Sequence, residues 1–568
     1  MPYHATAPEL DFVLRHVVKA DQLPQTKLYA EATSEMTTAI LTEAGRMCED
    51  ILGPLNRSGD LHPARLENGV VRTSPGFDAG YQAIAEGGWV GISASAKAGG
   101  MGLPITLATC VNEMMSAACL SLSLNPLMTQ GQIEALEHHA SDALKAIYLP
   151  KLISGEWCGT MNLTEAQAGS DVGALRTRAE PNGDGSHAIS GQKIFISWGD
   201  HDLAENICHL VLARLPDAMP GTKGISLFLV PKFLPDESGK PGQANRLRPI
   251  SLEHKLGLHG SPTAVMEYDR ATGWMIGAEN GGMAAMFTMM NNARLGVGVQ
   301  GLGIAVRATQ EAMAFALERK QGRTPVQEGA GTIIDHADVR RMLLTMRTLT
   351  DAARAICLDC AVALDMGRAT GDADWQARGA FLTPIAKAFG TDIGDEVASL
   401  GMQVHGGMGY IEETGAAQLA RDVRVTSIYE GTNGIQAMDL VGRKLMDGGK
   451  AAMALLAEIG QTAALAEADH PDLAAFLQAA ETALVATTNW LVNAPMNDRF
   501  AGAVCYLRAF ALALGGQYLL RAAMADPKRL PLARFFIRQL MTEVDSLCSR
   551  TREGAATLYA LDAEALTA

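Results

Sequence analysis

Aromatic residues are scarce: ten Tyr, fourteen Phe and six Trp make up 5% of the 568 positions. The chain is also poor in charge, at 19%, while Gly and Met are plentiful and hydrophobic residues reach 48%. This balance disfavours an all-β chain and favours helices packed on helices. Positive charge is in deficit, with a net of −15. That argues against a broad face that neutralises nucleic-acid phosphates, and against adhesion to an anionic membrane. No uninterrupted run of roughly 18 apolar residues is found. The start, Met1-Pro2-Tyr3-His4-Ala5-Thr6-Ala7-Pro8-Glu9, lacks the basic and then apolar regions of a secretory signal. A cytoplasmic location with no membrane and no nucleic-acid partner is therefore expected. The nine cysteines are odd in number and scattered in apolar surroundings, so no disulfide framework is implied. Cys357 and Cys360 form a C-x-x-C, but without a second ligand pair core packing is preferred to a zinc or redox site, and no metal is expected.

What is present is enough chain for several folded units. From about Lys27 to Glu156 the apolar pattern is helical, punctuated at Gly53-Pro54, Ser74-Pro75-Gly76 and Ala98 to Pro104. Beyond Trp157 the texture changes to short strand-like runs: Ala188 to Ser190 with Lys193 to Ile196, Ile207 to Leu215, Gly224 to Val230, and Ala264 to Tyr268. Long helical patterns return over Gly303 to Lys320, Ile334 to Met366 and Arg378 to Leu400, and an Ala- and Leu-rich segment follows Ala451. The expected architecture is mainly α with a central β-domain. Its parts are a helical domain over 1–157, a β-domain over 158–275, a helical bundle over 276–445 and a C-terminal helical extension over 446–568.

Gly296-Val297-Gly298-Val299-Gln300-Gly301 matches G-x-G-x-x-G, with Glu318 about 20 residues on. A dinucleotide turn needs a preceding strand, whereas Met283 to Leu295 reads as helix, so small residues that let helices pack closely are preferred. Asn162 to Asp171 is dense in hydroxyls, small residues and free amides, as suits either a ligand loop or a solvated turn capped by Ser170 or Asp171. Tyr429-Glu430-Gly431-Thr432-Asn433-Gly434-Ile435-Gln436 places a carboxylate on a Gly-rich turn, where it is either a general base facing a cleft or a surface residue.

The order of these motifs is specific. Tyr148 to Glu156, Asn162 to Asp171, Gly191-Gln192-Lys193-Ile194-Phe195-Ile196-Ser197, Gln403 to Tyr410 and Ile428-Tyr429-Glu430-Gly431-Thr432 together resemble the acyl-CoA dehydrogenase family over about residues 90–445. The resemblance implies an α, β, α architecture with FAD between the last two parts. It implies that Glu430 takes the α-proton of an acyl-CoA thioester while FAD takes the β-hydride. It assigns flavin contacts to Met161, Leu163, Thr164, Ser170, Phe195 and Ser197, and places Thr432 near the cofactor phosphates. Arg319, Gln403 and Gly407 become contacts to FAD across a subunit interface. Ser170, Arg294 and Gly431 are the implied substrate contacts.

Some positions depart from the family. Phe195 stands where Trp is common, Ala166 where Pro follows Thr-Glu, and Lys320-Gln321-Gly322-Arg323 where many relatives carry Thr-Phe-Gly. In some relatives the base lies just before an Arg; here that position is Ala293, before Arg294, which leaves Glu430 without a rival. Arg294 either places the Glu430 turn electrostatically or makes a plain helix-to-helix salt bridge. The length and the C-terminal module resemble larger bacterial members that dehydrogenate 3-methylmercaptopropionyl-CoA in dimethylsulfoniopropionate catabolism, with straight-chain fatty acyl-CoA of β-oxidation as the alternative. An electron-transferring flavoprotein is the implied acceptor and a homodimer the implied assembly. A different class, a non-catalytic flavoprotein that binds nucleic acid or a protein partner, is disfavoured because residues 446–568 hold 10 basic against 13 acidic residues.

Overall fold

The computed structural model of the chain describes residues 2–326 and 330–567. It divides into two units, Ala44–Ala293 and Tyr3–Glu43 with Arg294–Ala568. Mainly α with a central β-domain is the observed class.

In the first unit, α1 (Ile105–His139) bends at Cys119, whose backbone leaves helical geometry, and is buried along most of its length. It lies on β1 (Trp157–Asn162), where the Gly159 amide donates to Thr129 Oγ1 at 3.0 Å. A Cβ on Gly159 would stand 2.1 Å from Gln132 Oε1, so any other residue there would force the Gln132 side chain to move. The sheet continues with β2 (Arg178–Pro181), β3 (His187–Ser197), β4 (Asn206–Ala213), β5 (Ser226–Pro231), β6 (Leu247–Leu252) and β7 (Thr263–Ile276). Its order is β1-β4-β5-β7-β3-β2, with β6 added on β7. The β1/β4 pair is parallel and the others are antiparallel. Every residue of β4 and β5 is buried, as expected of central strands that read as continuous apolar runs. Ile189, Ile196, Val211, Phe228, Val230, Met266 and Tyr268 form much of the core between the faces. Two register shifts in β7, between Ala264 and Met266 and between Asp269 and Ala271, let one long strand pair with β3, β5 and β6. Strands β2 and β6 had no alternating apolar signal because they lie at edges and bury a single residue each.

The bundle of the second unit is formed by α2 (Gly282–Glu318), which begins in the first unit, α3 (Ala337–Thr370) and α4 (Ala373–His405). The G-x-G-x-x-G run lies well inside α2 and not at a turn from strand into helix, so it is a packing seam and not a nucleotide turn. A Cβ on Gly298 would stand 2.4 Å from the Ala386 carbonyl oxygen, and one on Gly301 2.4 Å from that of Gly390. Gly390 and Gly394 of α4 are equally tight against Gly298 and Gly301. Cys357 and Cys360 are buried in α3, with the Cys360 thiol 3.6 Å from Thr383 Oγ1.

Two further helices matter: α5 (Asn433–Asp439) follows the Glu430 turn, and α6 (Met496–Ala525) is the central helix of the C-terminal module. A polar network ties that module to the bundle. Arg378 donates to Asp359 and Glu458, each at 2.7 Å, Tyr518 donates to Asp359, and Lys19 reaches Glu458 at 3.0 Å. The first helical residues join the same unit through Glu9, which pairs with Arg529 and with Arg347 at 3.3 Å. By length and composition alone α1 and α6 are apolar enough to cross a membrane, which polar residues within them hid from a search for unbroken runs. Their most apolar windows are 89% and 83% buried, as core helices are.

Candidate active site

Glu430 sits on the tight turn between the short helical segment Arg424–Ser427 and α5, with a backbone φ of 56°, the left-handed region that costs a non-glycine residue about 1 kcal/mol or more. Gly431 follows at φ 83°, where the absence of a side chain matters. The surroundings hold this strained turn on three sides. The Tyr429 hydroxyl donates to Gln300 Oε1 on α2, whose close approach to α4 depends on the glycine seam. The Asn433 side-chain amide donates to Thr391 Oγ1 at 2.9 Å and Asp392 Oδ1 at 2.6 Å on α4. Gln436 Nε2 donates back to the Glu430 carbonyl at 3.2 Å, and Thr432 Oγ1 accepts from the Ile435 amide as the cap of α5.

The Glu430 side chain is half-buried, and its carboxylate has no hydrogen-bond partner among the described residues. Burial pushes its pKa up, the charges of Arg294 and Lys387 pull it back, and the balance lies at about 7. A carboxyl so placed exchanges its proton near neutral pH. The Arg294 guanidinium pairs with Asp439 at 3.4 Å, and its charge also lowers the Glu430 pKa.

The flavin-contact set lies in the first unit. Met161 is the penultimate residue of β1, half-buried, and Leu163 and Thr164 follow the strand. The Ile194 amide donates to the Thr164 carbonyl at 2.9 Å, bringing Phe195 and Ser197 of β3 beside this segment. Phe195 is 59% exposed with φ 61°, an aromatic ring held outward by a strained backbone. Ser170 is exposed, and nothing lies within 4 Å of a Cβ on neighbouring Gly169. An outward apolar ring, hydroxyls and an uncrowded glycine loop fit the flat, polar-edged ring of a flavin.

Buried behind this wall is a pair that sequence reasoning missed. Lys193 and Glu165 meet at 2.9 Å, with Lys193 wholly buried. Lys193 also donates to the Leu163 carbonyl at 2.9 Å, while Glu165 accepts from the Arg176 amide and from the Thr177 amide and hydroxyl. Burial raises the Glu165 pKa, but Lys193 and these donors bring it down to about 2. The pair fixes residues 163–177 from beneath. Its only sequence signal was one Lys at the head of the apolar run Ile194 to Ile196 and one Glu in a loop of small residues.

Arg319, Gln403 and Gly407 are exposed in the second unit. Phe315 stacks on His405 with centroids 4.5 Å apart, which joins the ends of α2 and α4 and groups these three residues on one surface. Leu317, Met408, Tyr410 and Ile411 are exposed in the same segments. Lys320–Arg323 forms a fully exposed strand paired with Ala330–Thr332.

Family models match most of the chain in order: the acyl-CoA dehydrogenase N-terminal domain over residues 64–156, the middle domain over 160–271 and the C-terminal domain over 280–446. The chain belongs to the acyl-CoA dehydrogenase family. An acetyl-CoA dehydrogenase C-terminal-like model matches residues 455–562. As a member of this family the chain is an FAD-dependent oxidoreductase that dehydrogenates acyl-CoA thioesters. It is 44% identical to the 3-methylmercaptopropionyl-CoA dehydrogenase of Ruegeria pomeroyi, over 97% of this chain and 98% of that one. A butyryl-CoA dehydrogenase of Syntrophomonas wolfei is 38% identical over 70% of this chain and 68% of its own. The fold is also that of Caenorhabditis elegans ACDH-11, solved in complex with C11-CoA, with a TM-score of 0.82, 22% identity and coverage of 98% and 95%.

Proposed function

We propose that this acyl-CoA dehydrogenase oxidises 3-methylmercaptopropionyl-CoA to methylthioacryloyl-CoA, with Glu430 as the base. The observation that carries the base is a carboxylate free of hydrogen bonds among the described residues, with a pKa of about 7, on a turn braced by Tyr429, Asn433 and Gln436. The observation that carries the substrate is the full-length similarity to the Ruegeria pomeroyi enzyme.

An α-proton next to a thioester is weakly acidic, so the negative charge that develops on the carbonyl oxygen must be met by donors. The Glu430 amide, on the same rigid turn, is assigned that task, and Gly431 leaves room for the thioester. Ser170 and Arg294 are assigned to the substrate side. Arg294 orients the carboxylate electrostatically, and its pairing with Asp439 keeps it from neutralising the base fully. FAD, when bound, supplies the acceptor for the hydride leaving Cβ. Met161, Leu163, Thr164, Ser170, Phe195 and Ser197 would hold its ring, Thr432 would lie near its phosphates, and Arg319, Gln403 and Gly407 would belong to the partner subunit's cofactor site. We assign a cytoplasmic homodimer that passes electrons to an electron-transferring flavoprotein.

Competition between 3-methylmercaptopropionyl-CoA, butyryl-CoA and palmitoyl-CoA tests the substrate. The highest kcat/KM is expected with the thioether. A straight chain turned over much faster would move the assignment to β-oxidation, the reading that the Syntrophomonas wolfei relative favours. Light scattering should give twice the chain mass of 60.1 kDa.

A further inference from the structure

Lys387 is a wholly buried cation near the middle of α4, flanked by Ile385, Ala386, Ala388 and Phe389, and all five are buried. An isolated ammonium in such a place is costly and needs compensation. No carboxylate lies within ion-pair distance among the described residues. Its hydrogen bond is to Asn433 Oδ1 at 2.8 Å, the first residue of α5 and three residues after Glu430. Asn433 is thereby fully used: its oxygen faces Lys387, and its amide faces Thr391 and Asp392. The turn thus has its exit nailed to α4 by a charge-assisted bond, which is stronger than a neutral one.

The same ammonium acts on the Glu430 carboxylate, and Glu430 is the largest of the influences that keep Lys387 protonated against burial. The other charged groups packed around the turn are three cations and two carboxylates, which leaves one positive charge in excess. From α2 comes Arg294, from α4 Asp392, and from α5 and just beyond it Asp439, Arg443 and Lys444. Arg294 and Arg443 both pair with Asp439. Arg294 and Lys387 both lower the proton affinity of Glu430, and of the two Lys387 is tied to the turn itself, through the neutral Asn433.

We propose that Lys387 is a positioning residue for the reaction, its ammonium fixing the Asn433 end of the turn and setting the proton affinity of Glu430 from behind. This rests on Glu430 being the base. Without the charge the carboxylate would hold its proton in the empty site at neutral pH, and the enzyme would wait for deprotonation before each turnover.

The test uses FAD-loaded enzyme carrying 13C-carboxyl glutamate, following over pH 5–10 the resonance that disappears in Glu430→Gln. Lys387→Met removes charge and hydrogen bond; Lys387→Gln keeps a donor for Asn433 and removes only the charge; Lys387→Arg keeps the charge. In both neutral variants the Glu430 midpoint should rise by about one pH unit, a tenfold change in ionisation constant, and the arginine variant should restore it. The pH profile of flavin reduction should move in parallel. A purely structural lysine would lower stability or flavin content and leave the midpoint alone, so an unchanged midpoint in Lys387→Gln overturns the proposal even if Lys387→Met fails to fold. Failure of the base assignment itself reads differently: Glu430→Gln would then reduce flavin at the wild-type rate.

Discussion

The perturbed carboxyl of Glu430 makes a quantitative prediction about pH. With its pKa at about 7, roughly one-tenth of the enzyme carries an ionised base at pH 6 and about nine-tenths at pH 8. The second-order rate constant for flavin reduction at limiting acyl-CoA reports the free enzyme, so it should climb about tenfold between those values. A carboxylate at the ordinary value of 4.5 would give a flat line over the same range. Stability supplies an independent reading. The native state binds this proton more tightly than the unfolded chain does. Stability from this group is therefore greatest below the ordinary carboxylate value and falls as pH rises to about 7. The full loss is at most about 3 kcal/mol, and less because the side chain keeps some access to solvent. Glu430→Gln abolishes the loss, so the variant should be more stable than wild type to urea at pH 8 while reducing flavin at least 100-fold more slowly. Stopped-flow absorbance at 450 nm and urea titration measure the two effects. A flat rate profile between pH 6 and 8, together with no stability gain in the variant, would refute the reasoning about burial.

Other parts of the molecule make separate predictions. Lys193→Met strands a buried Glu165 charge and should cost about 3–5 kcal/mol with loss of retained FAD, whereas Lys193→Met/Glu165→Leu should recover part of both; urea denaturation and flavin content decide. Gly301→Ala drives a methyl against the Gly390 carbonyl and should destabilise by about 1–3 kcal/mol, with Tyr429 drawn away from its Gln300 partner and activity reduced. Gln436→Leu removes the donor to the Glu430 carbonyl and should slow flavin reduction more than it weakens substrate binding, visible as a fall in kcat with little change in KM.

The change from helical to strand texture near Trp157 and back near Gly282 was legible because apolar spacing shifts with the period of the element. So was the nature of the G-x-G-x-x-G run, because helix pattern preceded it. The single long strand Thr263–Ile276 was seen only at Ala264 to Tyr268, since its bulges interrupt the alternation. Glu430 was legible through the wording of its turn, but what sets its pKa was not. Arg294, Lys387 and Gln300 come from helices distant in sequence, and Lys193 with Glu165 lies 28 residues apart. Lone charges within the apolar stretches Ile385 to Phe389 and Lys193 to Ile196 were the available hints. A buried ion needs a partner, but a sequence does not say which one.

The most direct test of the account is an anaerobic titration of the purified flavoprotein with 3-methylmercaptopropionyl-CoA, read at 450 nm beside Glu430→Gln. Bleaching of the flavin band in wild type, with the variant holding its FAD and staying oxidised, is the predicted result. Equal bleaching in the two proteins would contradict the assignment of Glu430 as the base.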